Sequence, residues 1–187
     1  MRIDVALVHY PVINRRGEII GSAVTNLDLH DIARAGKTYG IGTYWVITPF
    51  QEQRELAEQI VGHWTKGYGG SVNPDRSEAL ALVTVCASYG EAFAGATEKF
   101  GERPLVLATC AKEQANTLEY AEARRRMRRG TPVLLLFGTA WGLSPELLAA
   151  VDGVLPPLRG PTGFNHLSVR SAAAIILDRL LGERGDG

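Results

Sequence analysis

Thiols and histidines are scarce in this chain. Its two cysteines, Cys86 and Cys110, lie far apart, and its four histidines, His9, His30, His63 and His166, are scattered. Structural metal sites draw their ligands from closely spaced Cys and His groups, so no metal is expected, and two reduced, mostly buried thiols are the plain reading. Net charge is also missing: 20 Lys and Arg balance 20 Asp and Glu. No global field therefore draws the protein to nucleic acid, and any RNA affinity has to come from a local patch. No apolar run approaches the ~20 residues that span a bilayer. The start Met-Arg-Ile-Asp-Val-Ala lacks the apolar stretch of a secretion signal, so a cytoplasmic location and no membrane partner are expected.

Several catalytic signatures are absent too. The chain has no G-x-S-x-G nucleophile elbow and no H-E-x-x-H pair. The first apolar run leads into His9-Tyr10-Pro11 instead of a G-x-G-x-x-G turn, which disfavours an ordinary dinucleotide-binding fold. Gly36-Lys37-Thr38 imitates the end of a phosphate-binding P-loop. However, Asp31 stands where the first glycine belongs, and the residues fall inside an amphipathic helix.

At 187 residues, 45% of them hydrophobic and 21% charged, the chain suits one well-buried domain over residues 1–187. Strand-like apolar runs recur at Ile3–Val8, Thr43–Thr48, Leu80–Val85, Leu105–Ala108 and Val133–Phe137, with a short sixth at Val151–Leu155. Segments of helical period lie between most of them. Continuous apolar strands separated by helices indicate an α/β protein with a mostly parallel sheet of five or six strands, covered on both faces.

The helices carry local signals. Thr25 can cap a first helix whose apolar face is Leu29, Ile32, Ala33 and Gly36, and Tyr39-Gly40 should end it. Arg34 falls off the centre of that face. Residues from Pro49-Phe50 to Trp64 read as a second amphipathic helix, followed by a glycine-rich loop, Lys66 to Pro74, suited to a connection or a substrate lid. From Glu113 to Arg129 the sequence begins acidic and ends Arg124-Arg-Arg-Met-Arg-Arg129, the charge order a helix dipole favours. Its arginines are either a solvated face or contacts to RNA phosphate. In the last helix Val169, Ala172, Ala173, Ile176 and Leu180 form a stripe that Ile175, Leu177 and Leu181 widen, so two partners are needed to bury it.

The sharpest feature spans residues 133–177. The strand Val-Leu-Leu-Leu-Phe runs into Gly138-Thr-Ala-Trp-Gly142-Leu143-Ser144. The short strand ending at Leu155 enters the loop Pro156-Pro-Leu-Arg-Gly-Pro-Thr-Gly-Phe-Asn-His166, which opens into the helix Leu167-Ser-Val-Arg-Ser-Ala-Ala-Ala-Ile-Ile-Leu177. Turns at the carboxyl ends of neighbouring strands are where open α/β sheets bind ligands. This order of motifs resembles the last two motifs of the SPOUT, or α/β-knot, methyltransferases. Asp28-Leu-His-Asp-Ile-Ala-Arg34 through Tyr39-Gly40 is similar to the N-terminal element of the branch that methylates ribose. Together the matches cover roughly residues 3–40 and 104–181. The chain departs from the pattern in lacking a glutamate within Gly138–Gly142, and in having Ser168 and Asp28 where relatives have asparagine. These changes bear on the substrate subfamily more than on the fold.

The resemblance implies a trefoil knot in which the C-terminal helix passes through the preceding loop, a homodimer, and S-adenosylmethionine as cofactor. It places Thr109, Cys110, Gly138, Thr139, Gly142, Leu155, Leu158, His166, Leu167 and Ser168 around that cofactor. Arg34 becomes the catalytic, substrate-side residue, reaching into the site of the other subunit. The implied reaction is methyl transfer to RNA, either tRNA or ribosomal RNA. Two rival readings are a noncatalytic RNA- or nucleotide-binding knot protein and an α/β small-molecule transferase or hydrolase.

Overall fold

A computed structural model describes residues 2–183. Its centre is a six-stranded sheet in the order β5-β4-β1-β7-β6-β8. The strands are β1 (Ile3–Val8), β4 (Tyr44–Ile47), β5 (Val83–Cys86), β6 (Leu105–Thr109), β7 (Val133–Gly138) and β8 (Gly153–Leu155). Every pairing is parallel, with Ile3 beside Val133 and Val5 beside Tyr44 in the two central ladders. A separate antiparallel hairpin joins β2 (Val12–Ile13) to β3 (Ile19–Ile20).

Alternation along the buried strands creates two cores. Ile3, Val5, Leu7, Leu135 and Phe137 face one side, packed with α1 (Asn26–Tyr39), α2 (Gln51–Thr65), α4 (Pro74–Leu80), α6 (Tyr120–Arg128) and α8 (Val169–Leu181). Ala6, Val8, Leu134 and Leu136 face the other, under α5 (Tyr89–Phe100) and α7 (Pro145–Ala150). Burial on both faces explains why these strands are continuous apolar runs. The short α3 (Tyr68–Val72) lies between α2 and α4.

The first helix follows its sequence signals: Thr25 accepts from Asp28 N, Leu29, Ile32, Ala33 and Gly36 are buried, and Gly40 closes it. The last helix packs mainly on α1 and also on α6 and β7, burying Ala173, Ile176, Leu177 and Leu180 while Ile175 stays exposed. Three expectations need correction. The acidic-to-basic helix begins at Tyr120 and not at Glu113, because residues 116–118 are held beside β8: Leu118 N donates to Val154 O at 2.9 Å and Val154 N to Asn116 O at 3.0 Å. Leu80 ends α4 and does not begin a strand; the turn through Leu82 separates the two. The glycine-rich stretch from Lys66 to Pro74 contains α3, and Asn73 then caps α4 by accepting from Arg76 N at 3.0 Å.

Helix placement makes β7 a topological switch point. β1 and β6 send α1 and α6 to one face, whereas β7, lying between them, sends α7 to the other. Loops that diverge in this way leave a gap beyond the carboxyl ends of the strands.

Candidate cofactor site

Three segments converge at that edge. β6 ends at Thr109, whose Oγ1 donates to Leu136 O at 3.1 Å and ties it to β7. Cys110 follows, its Sγ accepting from Lys112 N and Gln114 Nε2, each at 3.4 Å. β7 ends at Gly138, where the chain doubles back so tightly that a Cβ would sit 2.6 Å from Leu143 N. Thr139 is buried, its hydroxyl donating to Val8 O at 3.0 Å and meeting Ser22 Oγ.

The rest of the β7 turn has unusual backbone. Ala140 has φ 51° and Gly142 φ 113°, both in the left-handed half of conformational space. The β2–β3 hairpin holds this shape: Trp141 N donates to Ile13 O at 3.0 Å, Ile13 N to Gly142 O at 2.9 Å, and Ser144 N to Pro11 O at 3.2 Å. Sequence reasoning missed the hairpin. Its signal was the pair of apolar dipeptides Val12-Ile13 and Ile19-Ile20 around Asn14-Arg15-Arg16-Gly17.

β8 supplies the third segment. Leu155 is buried, Leu158 packs on the core beneath α8, and Pro156 O accepts from Tyr120 Oη at 3.1 Å. The chain then crosses to its neighbours: Asn165 Nδ2 donates to Ala111 O at 2.7 Å, and the His166 ring lies 5.8 Å from that of Trp141. Ser168 ends the loop by capping α8, accepting from Ser171 N. Trp141 (54%), Phe164 (73%) and Leu167 (46%) leave apolar surface exposed around these contacts. Such a patch is characteristic of a ligand or partner site.

The ten cofactor-site residues expected from the sequence all lie on these loops or the strand ends that feed them. Arg34 does not join them. It lies on the exposed side of α1, beside a groove of about 360 Å³ that Lys37, Asn73 and Arg76 also line.

Charged groups approach the loops from α1. Asp28 is buried, accepts from Thr25 Oγ1 at 2.7 Å, and lies 3.4 Å from Arg170 Nη1 in the first turn of α8. Arg170 Nε also reaches Asp31 at 3.4 Å. His9, just beyond β1, is fully buried with Nδ1 3.0 Å from Ser22 Oγ. Burial lowers its pKa to about 4, against the opposing pull of the Asp28 carboxylate, so the ring is neutral at physiological pH. Among the described residues no group of three or more His, Cys, Asp or Glu is placed to hold a metal ion.

These loops offer backbone groups and apolar side chains with few charges, the kind of lining that suits a mostly uncharged ligand. Among the described residues, the loop over residues 156–167 makes no backbone–backbone hydrogen bond; Pro156 O is taken by Tyr120 and Phe164 N by Thr162 Oγ1, which leaves other backbone groups of the loop for a ligand. Open space borders Gly142, where a Cβ would meet no protein atom within 4 Å.

Comparison with known proteins places the chain in a family. A family model described as SAM-dependent RNA methyltransferase matches residues 2–182. A protein of Oleidesulfovibrio alaskensis named tRNA (guanine-N(1)-)-methyltransferase is 49% identical over 95% of this chain, which spans only 41% of that relative. An uncharacterized protein of Aquifex aeolicus is 38% identical, with 95% of this chain and 87% of that one covered. Among solved structures, a TrmH/SpoU tRNA modifying enzyme of A. aeolicus has the same fold, with a TM-score of 0.58 at 14% identity over 96% of this chain and 74% of that one. The family model covers nearly the whole chain and the sheet matches that of the solved neighbour, so the chain belongs to the SAM-dependent RNA methyltransferase family.

Proposed function

We propose that this chain transfers the methyl group of S-adenosylmethionine to RNA, with tRNA the first substrate to test and ribosomal RNA the second. The observation that carries the reading is the convergence of the loops after β6, β7 and β8 through the Asn165–Ala111 and Trp141–His166 contacts. Thr109, Cys110, Gly138, Thr139, Gly142, Leu155, Leu158, His166, Leu167 and Ser168 would hold the cofactor. When bound, it supplies an electrophilic methyl group on a sulfonium. The protein's task is then alignment and exclusion of water, which suits a site built from backbone with few titratable side chains.

The same reading includes a knot and a homodimer. Residues 116–118 flank β8 on the side opposite β6, which supports passage of the following chain through the 110–119 loop on its way to α8. True knots are rare, so this topology is specific to the family resemblance. A dimer would account for the exposed Trp141, Phe164 and Leu167, and for Arg34 acting away from the cofactor loops of its own subunit. The proposed location is cytoplasmic; no helix among the described residues is long and apolar enough to cross a membrane.

Calorimetric titration with S-adenosylmethionine, followed by transfer of labelled methyl groups to bulk tRNA and ribosomal RNA, tests the proposal. Donor binding without incorporation would favour the noncatalytic RNA-binding reading, to which the missing glutamate in Gly138–Gly142 lends support. No donor binding would defeat both. Nucleoside mass spectrometry of RNA from a deletion strain would name the product.

A further inference from the structure

Five of the chain's 20 basic residues fall within Arg124–Arg129. Folding onto α6 sorts them. Glu122 pairs with both Arg125 and Arg126, and so neutralises part of the cluster. Arg124, Arg128 and Arg129 have no carboxylate partner among the described residues; Arg124 instead donates to Arg179 O at 2.8 Å. With Arg125 and Ala121 these three line a concave surface of about 450 Å³. The negative end of the helix dipole favours cations in the last turn, but its influence fades beyond that turn and provides no counterion.

We propose that this face of α6 is a docking surface for the phosphate backbone of the RNA substrate; the inference rests on the methyltransferase reading above. Guanidinium forks match phosphate oxygens in pairs. In a chain of zero net charge, a local patch is where such affinity must reside. Position supports it as well. Tyr120, at the start of α6, donates to Pro156 O in the cofactor loop. With a rise of about 1.5 Å per residue, Arg124 stands about 6 Å along the axis from that end and Arg129 about 13 Å. An RNA whose target nucleotide enters the cofactor loops can therefore lay successive phosphates along the helix. The groove beside Arg34 is a weaker candidate for this role, because Lys37 pairs with Glu78 at 3.1 Å and Asp75 shares the lining.

The test measures binding of bulk bacterial tRNA and of a labelled mixed-sequence single-stranded RNA across a salt series. R128E and the R128E/R129E double variant are compared with wild type and with K66E, an exposed cation elsewhere that undergoes the same charge change as R128E. The expected result is a log–log salt slope shallower by about one per arginine, and an affinity at least about tenfold lower for the double variant. Binding of S-adenosylmethionine should be unchanged. R128Q/R129Q repeats the test without placing acid at the helix end. Equal losses in R128E and K66E would overturn the inference as mere bulk charge. Unchanged RNA affinity and slope in the double variants would overturn it in favour of another partner, such as an acidic protein. Failure of the wild type to bind the methyl donor would defeat the methyltransferase reading instead, while the RNA titrations would still decide whether this face binds phosphate.

Discussion

Gly138 and Gly142 bracket one turn but fail differently when a methyl group is added, and the pair separates folding from cofactor binding. At Gly138 the new Cβ would sit 2.6 Å from Leu143 N and 3.0 Å from Gly142 C, both backbone atoms. Neither can retreat easily, because the hairpin bonds at Ile13 and Pro11 fix the turn. Overpacking of this kind costs about 1–3 kcal/mol. For a chain of this size, about 2 kcal/mol corresponds to a fall in Tm of roughly 4–8 °C. At Gly142 the Cβ meets nothing within 4 Å, and the cost is backbone strain at φ 113°. Strain of about 1–3 kcal/mol lowers Tm by about 2–12 °C. The added methyl group would nevertheless occupy the space assigned to the methyl donor. Gly142→Ala should therefore lose at least about tenfold in S-adenosylmethionine affinity, or about 1.4 kcal/mol, beyond any loss of stability. Scanning calorimetry and isothermal titration read the two effects separately. Wild-type donor affinity in Gly142→Ala would refute the placement of the cofactor. An unchanged Tm in Gly138→Ala would refute the close approach.

Arg34→Ala should leave donor affinity nearly intact and abolish methylation; loss of binding with turnover per bound donor preserved would show that its assigned role is wrong. The buried His9 gives a pH prediction. Its folded pKa of about 4 lies below the ordinary 6.5, so its contribution is fully present above pH 6.5 and is lost as pH falls towards 4. The loss amounts to roughly 3 kcal/mol. Urea midpoints across that window should fall less steeply in His9→Gln, and an identical slope would count against the burial argument. Asp4→Ala should cost about 1–3 kcal/mol, because the buried carboxylate accepts from Trp45 Nε1 at 3.0 Å and Thr43 N at 2.9 Å, while Lys99 Nζ, at 2.6 Å, is exposed enough to be solvated when its partner is removed. A urea midpoint shift equivalent to less than about 1 kcal/mol would show that water replaces these contacts.

The central strands were legible because burial on both faces leaves continuous apolar runs, as in Ile3–Val8 and Val133–Gly138. The first helix was legible because a cap, a stripe and a stop agree. What escaped depends on contacts between residues distant in sequence. Residues 113–119 have the charge order of a helix start, yet the 116–118 backbone is claimed by Val154, more than thirty positions away. A continuous apolar stretch cannot show that Leu80 closes a helix while Val83 opens a strand. Motif order pointed to the loops after β6, β7 and β8, which the fold brings to one edge of the sheet. The hairpin that fixes the β7 turn was not legible, because its strands of two residues are too short for alternation to register.

The cofactor edge is held unevenly, and the unevenness bears on what the relatives' names can mean here. The β7 turn is fastened by backbone bonds to the hairpin, whereas the loop over residues 156–167 is tied by the side chains of Tyr120, Asn165 and Arg159. Its far end is anchored through α8, which Arg170 straps to Asp28 and Asp31 and Asp178 straps to Tyr39 Oη at 3.0 Å. Under the proposed function a donor would seat against a β7 turn already fixed by backbone bonds, which spares part of the entropy cost of binding. None of this selects a nucleotide. Methylating N1 of guanine would require removal of its proton, but His9 is sealed from solvent and Asp28 is engaged by Thr25 and Arg170. The chain spans only about two-fifths of the length of the curated tRNA methyltransferases it matches. Their named base specificity can lie in the part it does not cover; under the proposed function these loops would serve the methyl donor, and recognition of the acceptor would be sought along α6 and at Arg34.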